Sequence, residues 1–143
     1  MNRKSVKGIA RDTLEFILEA SRSSMPLEFA GLLQANSENV ITEVLIVPGT
    51  EQSRMSALIR LYMLPNMQVV GSVHSHPSSN IRPSGEDLAF FSRTGDYHII
   101  VGPPFDENSW ICYDSLGQRR VLPVLDIEFD ENELEGADLD DDY

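Results

Sequence analysis

The sequence predicts a mixed α+β domain with a largely antiparallel sheet, and three observations carry that. Between about Ser5 and Ser23, Ile9, Thr13, Phe16, Ile17 and Ala20 recur at three-to-four spacing, the period of a helix with one face on a core. Further on, short runs rich in β-branched and aromatic residues are separated by Pro, Gly and Asn, the pattern of strands and turns. Helical and extended segments do not alternate regularly, which argues against a doubly wound parallel sheet.

Taken in order, the first helix ends at Pro26, and Leu27 to Leu33 has β character. Asn36 to Asn39 is a turn. Val40 to Val47 is a strand closed by Pro48-Gly49-Thr50, and Met55 to Leu61 reads as another, followed by an irregular Tyr62-Met63-Leu64-Pro65. Gln68 to His76 is a buried strand built on Val69, Val70 and Val73. Ser84 to about Ser92 is a short helix with the apolar run Leu88, Ala89, Phe90 and Phe91. Strands follow at Tyr97–Val101, Trp110–Asp114 and Arg119–Leu125, with turns at Asp106–Ser109 and Leu116-Gly117-Gln118.

The chain of 143 residues has the length of one domain with a real core. Its formal net charge of −12 is unevenly placed. Residues 126–143 hold ten acids and no base, whereas residues 1–125 carry 13 acids against 11 bases. The expected division is therefore a domain over 1–125 and an acidic, disordered tail over 126–143; contact with a basic partner is the alternative use of the tail. No basic patch offers itself to phosphates, so nucleic acid is not an expected partner. Asp12, Glu15 and Glu19 break any secretory apolar region. The longest uncharged run, Leu61 to Ile81, contains prolines, asparagines and histidines and is unfit to span a membrane. The single cysteine, Cys112, allows no internal disulfide, which fits a reducing cytoplasm.

Chemistry concentrates in Gly71-Ser72-Val73-His74-Ser75-His76-Pro77, followed by Pro83-Ser84-Gly85-Glu86-Asp87. Residues i and i+2 of a strand share a face, so His74 and His76 project side by side where Pro77 stops the strand. Two adjacent imidazoles suit a divalent metal, zinc first. Asp87 is the nearest good third ligand. Two histidines and one carboxylate leave the fourth zinc position open to water, as catalytic sites do. A competing reading exists: Ser84-x-x-Asp87 before an apolar run is also a capping box. One carboxylate is not expected to serve both roles fully, so Asp87 is assigned to the metal. The third histidine, His98, reads as structural or exposed. Cys112 reads as a core cysteine; as a thiol nucleophile it would lack a partner histidine.

His74-Ser75-His76-Pro77, Ser84 and Asp87 together resemble the signature of the JAMM (MPN+) metalloprotease family. The resemblance extends upstream, where Glu28-Phe29-Ala30-Gly31-Leu32-Leu33 matches the family's Glu-x-x-Gly-Leu-Leu strand. From residue type alone Glu28 reads as a solvated strand acid, although its apolar neighbours argue otherwise, and Glu19, Glu43 and Glu86 stay open as rivals. The resemblance implies a curved MPN-type sheet with flanking helices and one zinc ion per chain, with a water, on His74, His76 and Asp87. It also implies Glu28 as general acid/base and Ser84 as oxyanion donor.

For function, the resemblance implies hydrolysis of the amide bond after the C-terminal glycine of a ubiquitin-like protein. Members that select polyubiquitin linkages carry longer insertions, for which this chain has little room. Val73 also stands where an aromatic is frequent. The compact form is similar to archaeal single-domain members that act on small modifiers or sulfur carriers. Three readings follow: an isopeptidase acting on modifier conjugates, a processing peptidase for a sulfur-carrier or ubiquitin-like precursor, and a non-catalytic MPN scaffold. Oligomeric state has no sequence signal here.

Overall fold

The computed structural model of the chain describes residues 5–46, 51–64 and 68–127. Its elements are β1 (Gly8–Ala10), α1 (Arg11–Ser24), β2 (Ala30–Ala35), β3 (Val40–Ile46), α2 (Glu51–Tyr62), β4 (Val69–Ser75), α3 (Gly85–Phe91), β5 (Tyr97–Val101), β6 (Trp110–Tyr113) and β7 (Val124–Leu125). They form one seven-stranded, curled mixed sheet in the order β6-β5-β4-β2-β3-β1-β7. The β2–β3, β2–β4 and β5–β6 ladders are antiparallel and hold most of the registered pairs. The β4–β5, β1–β3 and β1–β7 ladders are parallel.

Two apolar layers sandwich the sheet. On one face α1 packs Leu14, Ile17 and Leu18 against Leu33, Ile41, Val73 and Ile99. On the other, Leu58 of α2 and Phe90 and Phe91 of α3 cover Ala30, Leu32 and Ile100. Alternation along each strand produces this division: Leu32 and Leu33 are neighbours in sequence but belong to opposite layers. Among the described residues no helix is long and apolar enough to cross a membrane.

Four expectations change. The first helix starts later than the stripe implied, because Gly8-Ile9-Ala10 is captured as a strand between β3 and β7. Its buried face is Thr13, Leu14, Ile17, Leu18 and Ser21, with Phe16 turned outward at 49% exposure. Residues 55–61 are helical, not extended: Met55, Leu58, Ile59 and Tyr62 lie at the i, i+3, i+4, i+7 spacing of one helix face and join the α3-side core. The strand placed at 119–125 shrinks to Val124–Leu125 on the opposite sheet edge, while Arg119 makes only an isolated bridge to Tyr113. The segment placed at 27–33 becomes a strand from Ala30 to Ala35. The turn at 48–50, Pro65 and the acidic run from 128 onward lie outside the described residues.

Candidate active site

His74 is the sixth residue of β4, registered against Ala30 of β2 and Ile100 of β5. Its neighbour Val73 enters the α1-side core, so His74 faces the α2–α3 side. His76 follows the last strand residue, and its N–H still donates to the Val101 carbonyl at 2.8 Å. The extended path is thus kept for one more residue, and the two rings stand 5.0 Å apart on one face. Their Nε2 atoms are 3.2 Å apart.

Asp87 arrives from the first turn of α3. Ser84 is the N-cap of this helix and forms a full capping box with Asp87. The Ser84 N–H donates to Asp87 Oδ2 at 2.8 Å, and the Asp87 N–H donates to Ser84 Oγ at 3.1 Å. The same carboxylate reaches His74 Nε2 through Oδ1 at 3.1 Å and His76 Nε2 through Oδ2 at 3.3 Å. Capping and facing the histidines are thus combined in one carboxylate: Oδ2 accepts the Ser84 N–H and also faces His76, while Oδ1 points at His74.

These three side chains are a cluster able to hold a metal, their donor atoms all within 4.8 Å of one another. Ligands about 2.0–2.1 Å from a tetrahedral zinc lie about 3.3 Å from each other; the two Nε2 atoms are 3.2 Å apart, and each faces its own oxygen of the Asp87 carboxylate, His74 at 3.1 Å from Oδ1 and His76 at 3.3 Å from Oδ2. The His76 Nδ1–H donates to the Asn80 carbonyl at 2.8 Å, which leaves the Nε2 lone pair for a cation. With protons alone in the cluster, the hydrogen bond to Asp87 raises the His76 pKa against the opposing effect of burial. Burial by itself would raise the pKa of Asp87, but hydrogen bonds from His74 and His76 outweigh it and hold the carboxyl well below the usual range. The cluster is thus an anion between two imidazoles, a donor set suited to zinc.

Glu28 lies two residues before Ala30, on the same side of its chain. Continuing the Ala30–His74 register sets it across from His76. That end is fastened by the Phe29 N–H donating to Ser75 Oγ at 2.7 Å and the Ser75 N–H donating to the Phe29 carbonyl at 2.8 Å. Glu28, His74 and Asp87 line one cleft, with Ala30, Leu58 and Phe90 as its apolar wall. Its volume is about 30 Å³, room for a water molecule. The rival glutamates do not line it: Glu19 pairs with Arg22 on the exposed side of α1, and Glu43 and Glu86 are exposed. Ser84 is exposed and bonded to Asp87, and its cap bond uses Oγ as an acceptor, so the hydroxyl proton is available to donate.

His98 is fully buried, with Nδ1 2.7 Å from Ser72 Oγ and Nε2 2.8 Å from the Gly95 carbonyl. Burial lowers its pKa to about 4, and its ring stacks on Phe91 at 4.2 Å. Burial pushes the Cys112 thiol up to about 12, far from a nucleophile at neutral pH. The Asn80 carbonyl had no sequence signal, because a backbone acceptor is the same for every residue type.

Residues 10–113 match the family described as prokaryotic homologs of the JAB domain. A protein of Haloferax volcanii described as a probable metalloprotease is 41% identical over 140 residues, 91% of this chain and 86% of its own length. A JAB1/MPN domain protein from Archaeoglobus fulgidus has a solved structure with 42% identity and a TM-score of 0.68, matching 83% of this chain and 99% of that one. A second solved structure, described as a JAMM metalloprotease-like zinc site in the proteasome and signalosome, gives 41% identity and a TM-score of 0.67 over 85% of this chain and all of that one. With its histidine pair and its aspartate in one cluster, with its upstream glutamate lining a cleft beside His74 and Asp87, and with these relatives, the chain belongs to the JAMM/MPN+ metalloprotease family, in its prokaryotic JAB group.

Proposed function

We propose that this chain is a zinc-dependent isopeptidase that cleaves the amide bond after the C-terminal glycine of a ubiquitin-like modifier. The observation that carries the reading is the convergence of His74, His76 and Asp87 within metal-ligand reach of one another, with Glu28 lining one cleft beside His74 and Asp87. A scaffold that only binds partners has no use for this donor set. When bound, zinc supplies a Lewis acid that acidifies water and polarises a carbonyl. His74, His76 and Asp87 are its ligands. Glu28 takes a proton from the attacking water and later delivers it to the leaving amine. Ser84 donates its hydroxyl hydrogen to the developing oxyanion. The family resemblance supports the modifier as substrate class, in the compact form similar to archaeal members.

The test is to incubate the zinc-loaded chain with a modifier linked to a lysine side chain and with the same modifier in a linear fusion. Faster cleavage of the lysine-linked conjugate is expected. Faster cleavage of the fusion would make the chain a precursor-processing peptidase, and cleavage of neither would refute the peptidase reading.

A further inference from the structure

We infer that Tyr113 is a positioning residue for the metal ligand His76, acting through the loop of residues 77–84. The inference rests on the metal-centre reading above. The His76 ring is oriented from behind by the Asn80 carbonyl. Asn80 sits in an exposed stretch without regular structure. Its local bonds, the Asn80 backbone N–H to Ser78 Oγ at 3.3 Å and the Arg82 N–H to Asn80 Oδ1 at 3.2 Å, are exposed and compete with water. What ties this loop to the rigid sheet lies deeper. The Tyr113 hydroxyl donates to the Ile81 carbonyl at 2.7 Å. Ile81 follows Asn80 directly, so the two carbonyls belong to consecutive peptide planes joined at the Ile81 Cα. Fixing one plane restricts the other to rotation about two bonds.

Tyr113 is itself immobilised. It is 3% exposed, registered against His98 in the β5–β6 ladder, and its ring stacks with Phe91, which also neighbours the His74 ring at 6.3 Å. A second seat completes the support. Gly102, just past β5, lies so close to the loop that a Cβ there would fall 2.7 Å from both Ile81 Cγ2 and the Ser78 carbonyl oxygen. Neither Tyr113 nor Gly102 belongs to the ligand set.

The experiment uses the full chain, with zinc measured by competition against a chelating dye and cobalt read by its visible absorption. In Y113F the ring packing stays and one hydroxyl goes. Zinc affinity per folded molecule is expected to fall, by less than the about 10–100-fold lost when a ligand's own outer partner is removed, because the Asn80 carbonyl stays in place but is less firmly held. The cobalt band should shift or weaken. Wild-type zinc affinity together with a wild-type cobalt spectrum in Y113F would overturn the inference and make Tyr113 a packing residue only. Should Y113F not fold, G102A decides. It displaces the loop at the residue Tyr113 holds, so weaker zinc binding upholds the inference and unchanged binding overturns it. A wild-type chain that takes up neither ion sinks the metal-centre reading itself, a different failure from a Y113F variant that binds like wild type.

Discussion

Ser84 and Asp87 hold each other at two points, through the Ser84 N–H on the Asp87 carboxylate and the Asp87 N–H on the Ser84 hydroxyl oxygen. Helix capping and site assembly are therefore one structure. S84A keeps the first bond, which is backbone-donated, and loses the second along with the oxyanion donor. Stability should drop by about 1 kcal/mol, while kcat should fall about 10²–10³-fold. Denaturant melts and steady-state kinetics on one preparation check both numbers, and a large stability loss with little loss of kcat would contradict the catalytic role.

In D87N the amide oxygen can still accept the Ser84 N–H, but the anion between His74 and His76 is gone. Zinc affinity should fall by more than the about 10–100-fold that disturbing an outer partner costs. Titration against a chelator of known affinity measures it.

E28Q removes a proton acceptor and leaves the ligands untouched. The variant should hold zinc like wild type and lose hydrolysis by about 10²–10⁴. Full activity would refute Glu28 as the base.

His98 has a pKa of about 4 in the folded chain against 6.5 when unperturbed. The unfolded chain binds that proton first, so the stability tied to neutral His98 is fully present above about pH 6.5 and is lost as pH falls towards 4. The size is about 3 kcal/mol over that range. Urea melts in chelator at pH 7, 5.5 and 4 should show a steeper acid loss in wild type than in H98Q. Equal slopes would show that His98 is not the group responsible. The difference between the two proteins is the quantity to read, because raising the His76 pKa stabilises the metal-free fold at low pH and acts with the opposite sign.

Where a strand's identity came from its own residues, the sequence was readable. Tyr97–Val101 is all buried and all extended, and the Ser84 cap begins α3 where its side chain predicts. The two-residue period put His74 and His76 on one face, and Asp87 followed because a first-turn residue has a fixed direction. What was missed depended on partners distant in sequence. Gly8-Ile9-Ala10 is a strand only because Val40–Ile41 and Val124–Leu125 lie on either side of it. In α2 the helical spacing of Met55, Leu58, Ile59 and Tyr62 was present, but a short apolar run with Ile and Leu fits both periods. That Glu28 reaches the cleft of His74 and Asp87 depends on the β2–β4 pairing, which no local pattern encodes.

The most direct test of the central claim is the zinc content of the purified chain, by elemental analysis after dialysis against trace zinc, beside H74A with its fold checked by circular dichroism. One equivalent of zinc in wild type and almost none in folded H74A is the predicted result. Zinc absent from both, or retained in full by H74A, would contradict a metal centre built on this histidine pair.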